Sequence, residues 1–166
     1  MSPRIVLFGY GNPSCGDDAL GPFLLERAEA WLVEHPELSV QAVADFQLQI
    51  EHALDLQGAD LALFLDADVA CPGPLVLRRA APREDASYST HELSPEAVLH
   101  VSQQITGAAP PPAYILSIRG EQFELGDSLS PAALRHLESA WALLKQLLAD
   151  GRAEAWDKLT VCTNSP

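Results

Sequence analysis

Two unbroken apolar runs mark the first half of the chain: Ile5 to Phe8, closed by Gly9, Gly11, Asn12 and Pro13, and Leu61 to Leu65, closed by Asp66. Runs of this length ending in turn residues or acids suit strands buried on both faces of a parallel sheet. Between them, Leu20, Phe23, Leu24, Ala28, Trp31 and Leu32 recur at helical spacing until Pro36 stops the pattern, which predicts a helix over Leu20 to Val33. Ser39 to Ala44 alternates as a strand and ends in Asp45, and a helical stretch runs roughly from Gln49 to Leu56.

Beyond Asp66, Leu75 to Arg79 reads as a short strand after the Cys71-Pro-Gly-Pro74 turn, antiparallel at an edge. Ser94-Pro95 and Ser130-Pro131 each place a capping hydroxyl before a proline at the first helical position, and so open two more helices. Ala113 to Ile118 supplies the last strand, and Leu134, Leu137, Trp141, Leu144 and Leu148 form the apolar stripe of the final helix. Strands alternating with helices predict a single α/β domain over residues 1–150, a three-layer sandwich whose mostly parallel sheet is flanked by helices. Residues 151–166 read as a loose tail.

Composition adjusts this picture in three ways. At 166 residues with 48% hydrophobic content, the chain can bury about two-thirds of its unfolded surface, which excludes intrinsic disorder. Acidic residues outnumber basic ones 23 to 10, a formal net charge of −13 that repels phosphate backbones and anionic lipids; a basic or metal-bearing partner suits it better. The three cysteines, Cys15, Cys71 and Cys162, show no C-x-x-C spacing, and no apolar run approaches the roughly 20 residues that span a bilayer. The chain reads as reduced, soluble and cytoplasmic.

In a doubly wound sheet, ligands sit beyond the carboxyl ends of the strands, so the residues just after each strand carry the candidate chemistry. After the first strand, Gly9 to Gly21 is glycine-rich and opens a helix, yet Ser14 stands where a dinucleotide fingerprint needs glycine, and Asp17-Asp18 replaces the Lys-Ser/Thr pair of a phosphate loop. The charge suits a cation instead. The plainer reading is that either aspartate caps the following helix. After the third strand, Asp66-Ala-Asp68 offers a second acid in Asp66, whereas Asp68 reads as the strand's exit into solvent. A phosphatase D-x-D motif matches weakly, since Ala70 stands where it wants Thr or Val.

His35 lies at a helix end, and His52, His100 and His136 fall inside helical patterns, where surface or core-edge positions are the usual outcome. His91 differs, because Tyr88 to Ser94 is a polar loop feeding a capped helix. Two carboxylates and an imidazole at three loop ends form an O,O,N set suited to a borderline divalent ion. Cys15 lacks an identifiable partner base, and no Ser-His-Asp order or H-E-x-x-H motif is present.

Gly9-Tyr-Gly-Asn12 with Gly16-Asp-Asp-Ala-Leu-Gly21, an apolar strand ending in Asp66-Ala, His91 before a helix, and Gly126 to Pro131 ahead of the last helix together resemble the hydrogenase maturation endopeptidases over nearly the whole chain. The resemblance implies an endopeptidase that removes the C-terminal extension of a [NiFe] hydrogenase large-subunit precursor after nickel insertion. It implies that Asp18, Asp66 and His91 contact a nickel ion carried by the substrate, with no permanent metal in the resting enzyme. Whether that nickel takes part in catalysis or serves only as a recognition tag, with Asp17 or another acid doing the chemistry, stays open. Asp45-Phe-Gln-Leu-Gln49, Ile50-Glu-His-Ala53 and Ser117-Ile-Arg-Gly-Glu121 look like the subgroup serving cytoplasmic NAD-linked hydrogenases. A monomer is the expected state. The rival from another class is a non-catalytic nickel-binding or docking factor on the same scaffold; a metal-dependent phosphatase is the third reading.

Overall fold

The computed structural model describes residues 2–84 and 93–164. Five strands form one sheet in the order β2-β1-β3-β5-β4, with β1 Arg4–Tyr10, β2 Ser39–Asp45, β3 Leu61–Asp68, β4 Leu75–Ala80 and β5 Ala113–Arg119. The first three strands and β5 run parallel, and β4 pairs antiparallel with β5 at the edge. The helices are α1 Leu20–Val33, α2 His52–Asp55, α3 Pro95–Thr106, α4 Pro131–Ala149 and α5 Ala153–Asn164, and a 3-10 turn, Gly16–Ala19, precedes α1. The predicted α/β class, with a mostly parallel sheet between helical layers, is the observed one.

Strand alternation splits the core in two. Ile5, Leu7, Leu61, Leu63, Leu65, Leu116 and Ile118 pack under α1 and α4, while Val6, Phe8, Ala62, Phe64, Ala113 and Ile115 pack with Val98 and Leu99 of α3 and Ala53 of α2. Phe8 and Phe64 stack on this second face with centroids 4.7 Å apart. Because β1 connects to β2 on one side while β3 lies on the other, the strand order reverses between β1 and β3. That is where a doubly wound sheet opens a crevice at its carboxyl edge.

Three expectations are corrected. Residues 153–164 are not a loose tail: they form α5, whose Trp156 is fully buried and donates from Nε1 to the carbonyls of Leu147 and Asp150 at 2.9 Å each. Thr163 Oγ1 accepts from the Leu77 amide at 3.0 Å and donates to the Leu77 carbonyl at 3.2 Å, so α5 satisfies backbone groups that an edge strand would leave open. Leu134 is exposed, since the buried stripe of α4 runs instead through Ala133, Ala140, Trp141, Leu144 and Leu148. The helix expected over Gln49 to Leu56 contracts to α2, preceded by tight turns.

Candidate functional site

The turn after β1 is built around Gly11, whose φ of +142° suits glycine and where a Cβ would collide with the Asp18 carbonyl oxygen. Gly21 lets α1 settle on the strand, because a Cβ there would lie 2.6 Å from the Tyr10 carbonyl. These two close approaches bring the 3-10 turn down over the end of β1. Asp18 then folds back, its Oδ2 accepting from the Asn12 amide at 2.6 Å.

The two adjacent aspartates have separate fates. Asp17 is fully buried; its Oδ2 accepts from the amides of Glu121 and Gln122 at 2.7 and 3.1 Å, and its Oδ1 from the amide of Ser130 at 2.7 Å. The Ser130 hydroxyl donates to Asp17 at 2.8 Å while accepting from the Ala133 amide at 3.1 Å as the N-cap of α4. Burial alone pushes the Asp17 carboxyl upward, but the donors from Glu121, Ser130 and Gln122 favour its charged form and leave its pKa below the ordinary value. Asp17 therefore does not cap the helix that follows it. It ties the β1 turn to the β5–α4 loop, with Gly16 and Asp17 amides donating to the Asp127 and Gln122 carbonyls as further stitches.

Asp18, by contrast, is half-buried at the crevice. Asp66, also half-buried, lies near the end of β3 opposite Ser117 of β5, and the strand continues to Asp68 because β5 pairs with it through Arg119. Alternation from Phe64 sets Asp66 on the face covered by α2 and α3. Asp68 Oδ1 accepts from the Ala70 amide at 2.9 Å, the local turn expected of a strand exit. Asp18, in the turn after β1, and Asp66, near the carboxyl end of β3, thus sit at the ends of the two adjacent strands between which the strand order reverses. His91 lies outside the described residues; the chain resumes at Leu93, whose amide reaches the Leu48 carbonyl at 3.5 Å on the Asp66 face. Among the described residues no three His, Cys, Asp or Glu side chains converge closely enough to hold a metal ion.

Sequence reasoning missed a pair beside these acids. His52 is buried, and its Nε2 lies 3.3 Å from Asp45 Oδ2 while its Nδ1 accepts from the Gln49 amide at 2.8 Å. Its position in a helical pattern concealed this, because the partners come from the end of β2 and the turn before α2. Gly11, Pro13, Pro22, Ala44, Asp45 and Phe46 line an apolar cleft of about 310 Å³ that opens beside the Asp18 turn. Phe46 in its lining is 67% exposed. Among the described residues no helix is long and apolar enough to cross a membrane.

No family model and no curated protein sequence matches the chain. Solved structures do. The [NiFe] hydrogenase maturation protease HycI from Thermococcus kodakarensis KOD1 superposes with a TM-score of 0.67 at 22% identity, covering 89% of this chain and 94% of its own. The hydrogenase maturating endopeptidase HybD from E. coli gives 0.63 at 22% identity, with 87% and 91% covered. An endopeptidase from Escherichia coli gives 0.62 at 22% identity, with 85% and 89% covered. The five-stranded α/β fold of this chain is therefore one that it shares, over nearly its full length, with hydrogenase maturation endopeptidases.

Proposed function

We propose that the protein belongs with the hydrogenase maturation endopeptidases, in the subgroup serving cytoplasmic NAD-linked enzymes. It removes the C-terminal extension of a [NiFe] hydrogenase large-subunit precursor once nickel has been inserted. The observation that carries this reading is the position of Asp18 in the turn after β1 and of Asp66 near the carboxyl end of β3, the two strands that flank the crevice, on a fold whose solved neighbours are maturation endopeptidases. The protein acts as a cytoplasmic monomer on a folded partner.

The nickel belongs to the substrate. Asp18 and Asp66 supply carboxylate oxygens and His91 an imidazole nitrogen, a donor set that suits a borderline divalent ion already held by other ligands. Docked in this way, the precursor presents its cleavage peptide to the crevice, and the apolar cleft beside Pro13, Pro22 and Phe46 takes the neighbouring chain. A carboxylate that accepts a proton from the attacking water would supply general-base assistance; the proton then passes to the departing amine as the peptide bond breaks. Asp17, whose oxygens are committed to Glu121, Gln122 and Ser130, serves the architecture and not the reaction.

The test is the intact mass of nickel-loaded large-subunit precursor before and after incubation, with nickel-free precursor in parallel. Loss of one discrete C-terminal peptide from the loaded form alone is the expected result, and Asp18→Ala and His91→Ala abolish it while the fold persists. Binding without any change of mass would replace this reading with a docking or nickel-handling role.

A further inference from the structure

Parallel register sets Tyr10 opposite Asp45, and Gly9 opposite Leu65 one residue before Asp66, so Asp45, Tyr10 and Asp66 occupy one row at the carboxyl edge of β2, β1 and β3. The row points to one face. Val43, Phe8 and Phe64 precede these residues by two positions and all pack on the α2–α3 side, where the His52 ring meets Phe8 edge-on at 5.9 Å.

Asp45 is held from three directions. Its Oδ1 accepts from the Phe46 amide at 2.7 Å, its Oδ2 faces His52 Nε2 at 3.3 Å, and its carbonyl oxygen accepts from the Gly11 amide at 3.1 Å. Because the Gln49 amide donates to Nδ1, that nitrogen presents a lone pair and the ring proton sits on Nε2, the nitrogen 3.3 Å from Asp45 Oδ2. Nδ1 is thus engaged and Nε2 faces a carboxylate, which makes His52 a poor metal ligand and a good brace. Each carboxylate oxygen keeps a second acceptor position, and the Asp45 side chain is 36% exposed.

Resting on the endopeptidase reading above, we infer that Asp45 is a further substrate-contacting acid and that buried His52 is its positioning residue. Asp45 accepts a hydrogen bond from an N–H or cationic group of the precursor beside the Asp18–Asp66 crevice. His52 fixes the carboxylate before the substrate arrives, so that little ordering remains to be done on binding.

The test measures the dissociation constant of nickel-loaded precursor by calorimetry for wild type, Asp45→Asn, His52→Ala, His52→Gln, His52→Asn and the Asp45→Asn/His52→Ala pair. Asp45→Asn and His52→Ala each weaken binding about 10-fold, the scale of one hydrogen bond to a charged group. His52→Gln, which keeps an N–H where Nε2 stood, stays within about 3-fold of wild type, whereas His52→Asn, which keeps only the acceptor for Gln49, does not. The double variant is no weaker than Asp45→Asn, because His52 acts through Asp45. Effects of the two sites that multiply, or equal affinity of the Gln and Asn variants, overturn the inference. If His52→Ala fails to fold, the Gln and Asn pair decides alone. A wild-type protein that binds without cleaving defeats the endopeptidase reading and leaves the binding series to judge this one; a wild type that does neither defeats both.

Discussion

Asp17 and Asp18 are consecutive residues of one short turn, yet the first is walled in by the β5–α4 loop while the second stands half-open at the crevice. Asp17 has four donors and no exposure; Asp18 has the single amide of Asn12 within the turn and a share of its surface in solvent. A buried carboxylate with every oxygen engaged stabilises the fold by holding distant segments together. A half-open one keeps acceptor capacity for something that comes from outside. The same chemical group therefore serves architecture or recognition according to how many backbone amides are turned toward it.

The largest expected effect comes from breaking the closed side. Asp17→Ala leaves the part-buried amides of Glu121 and Gln122 and the buried amide and hydroxyl of Ser130 without their acceptor, a loss on the order of 3 kcal/mol of unfolding free energy. Urea unfolding followed by circular dichroism measures it, and a loss below about 0.5 kcal/mol, the range of an ordinary surface change, would mean that the bonds around Asp17 contribute nothing.

A smaller effect comes from acid. The folded-state pKa of Asp17 is depressed, so its stabilisation is fully present above the unfolded carboxylate value of about 4 and is lost as pH falls through the folded value. Unfolding free energy should therefore decline below about pH 4 more steeply in wild type than in Asp17→Asn, which has no proton to gain at that position. Parallel acid titrations of the two proteins, each followed by urea unfolding, make the comparison; identical slopes contradict the assignment.

Much of this was legible in the sequence and some could not be. The apolar runs of β1 and β3 and the Ser-Pro starts of α3 and α4 are local signals, and the structure follows them. Asp66 stands out in the sequence for the same reason, as the first acid after the apolar run Leu61–Leu65. The role of Asp17 was hidden because its partners lie 104 to 113 residues away, beyond the reach of any local pattern. His52 was hidden by a helical spacing that holds for only one turn, while its ring answers to β1 and β2. Residues 153–164 looked loose because Trp156 has little apolar company nearby in sequence; its burial is provided by Tyr114 on β5 and by the end of α4.

On the proposed function two neighbouring acids divide the labour, Asp17 holding the loops and Asp18 meeting the substrate. The most direct measurement sets Asp18→Asn beside wild type, reading urea unfolding and the intact mass of nickel-loaded precursor on the same preparations. The account predicts that Asp18→Asn changes stability by less than about 1 kcal/mol, since one hydrogen bond at a half-exposed site is involved, and that it leaves the precursor at full mass. An Asp18→Asn protein that is as stable as wild type and trims the precursor at the wild-type rate would contradict it.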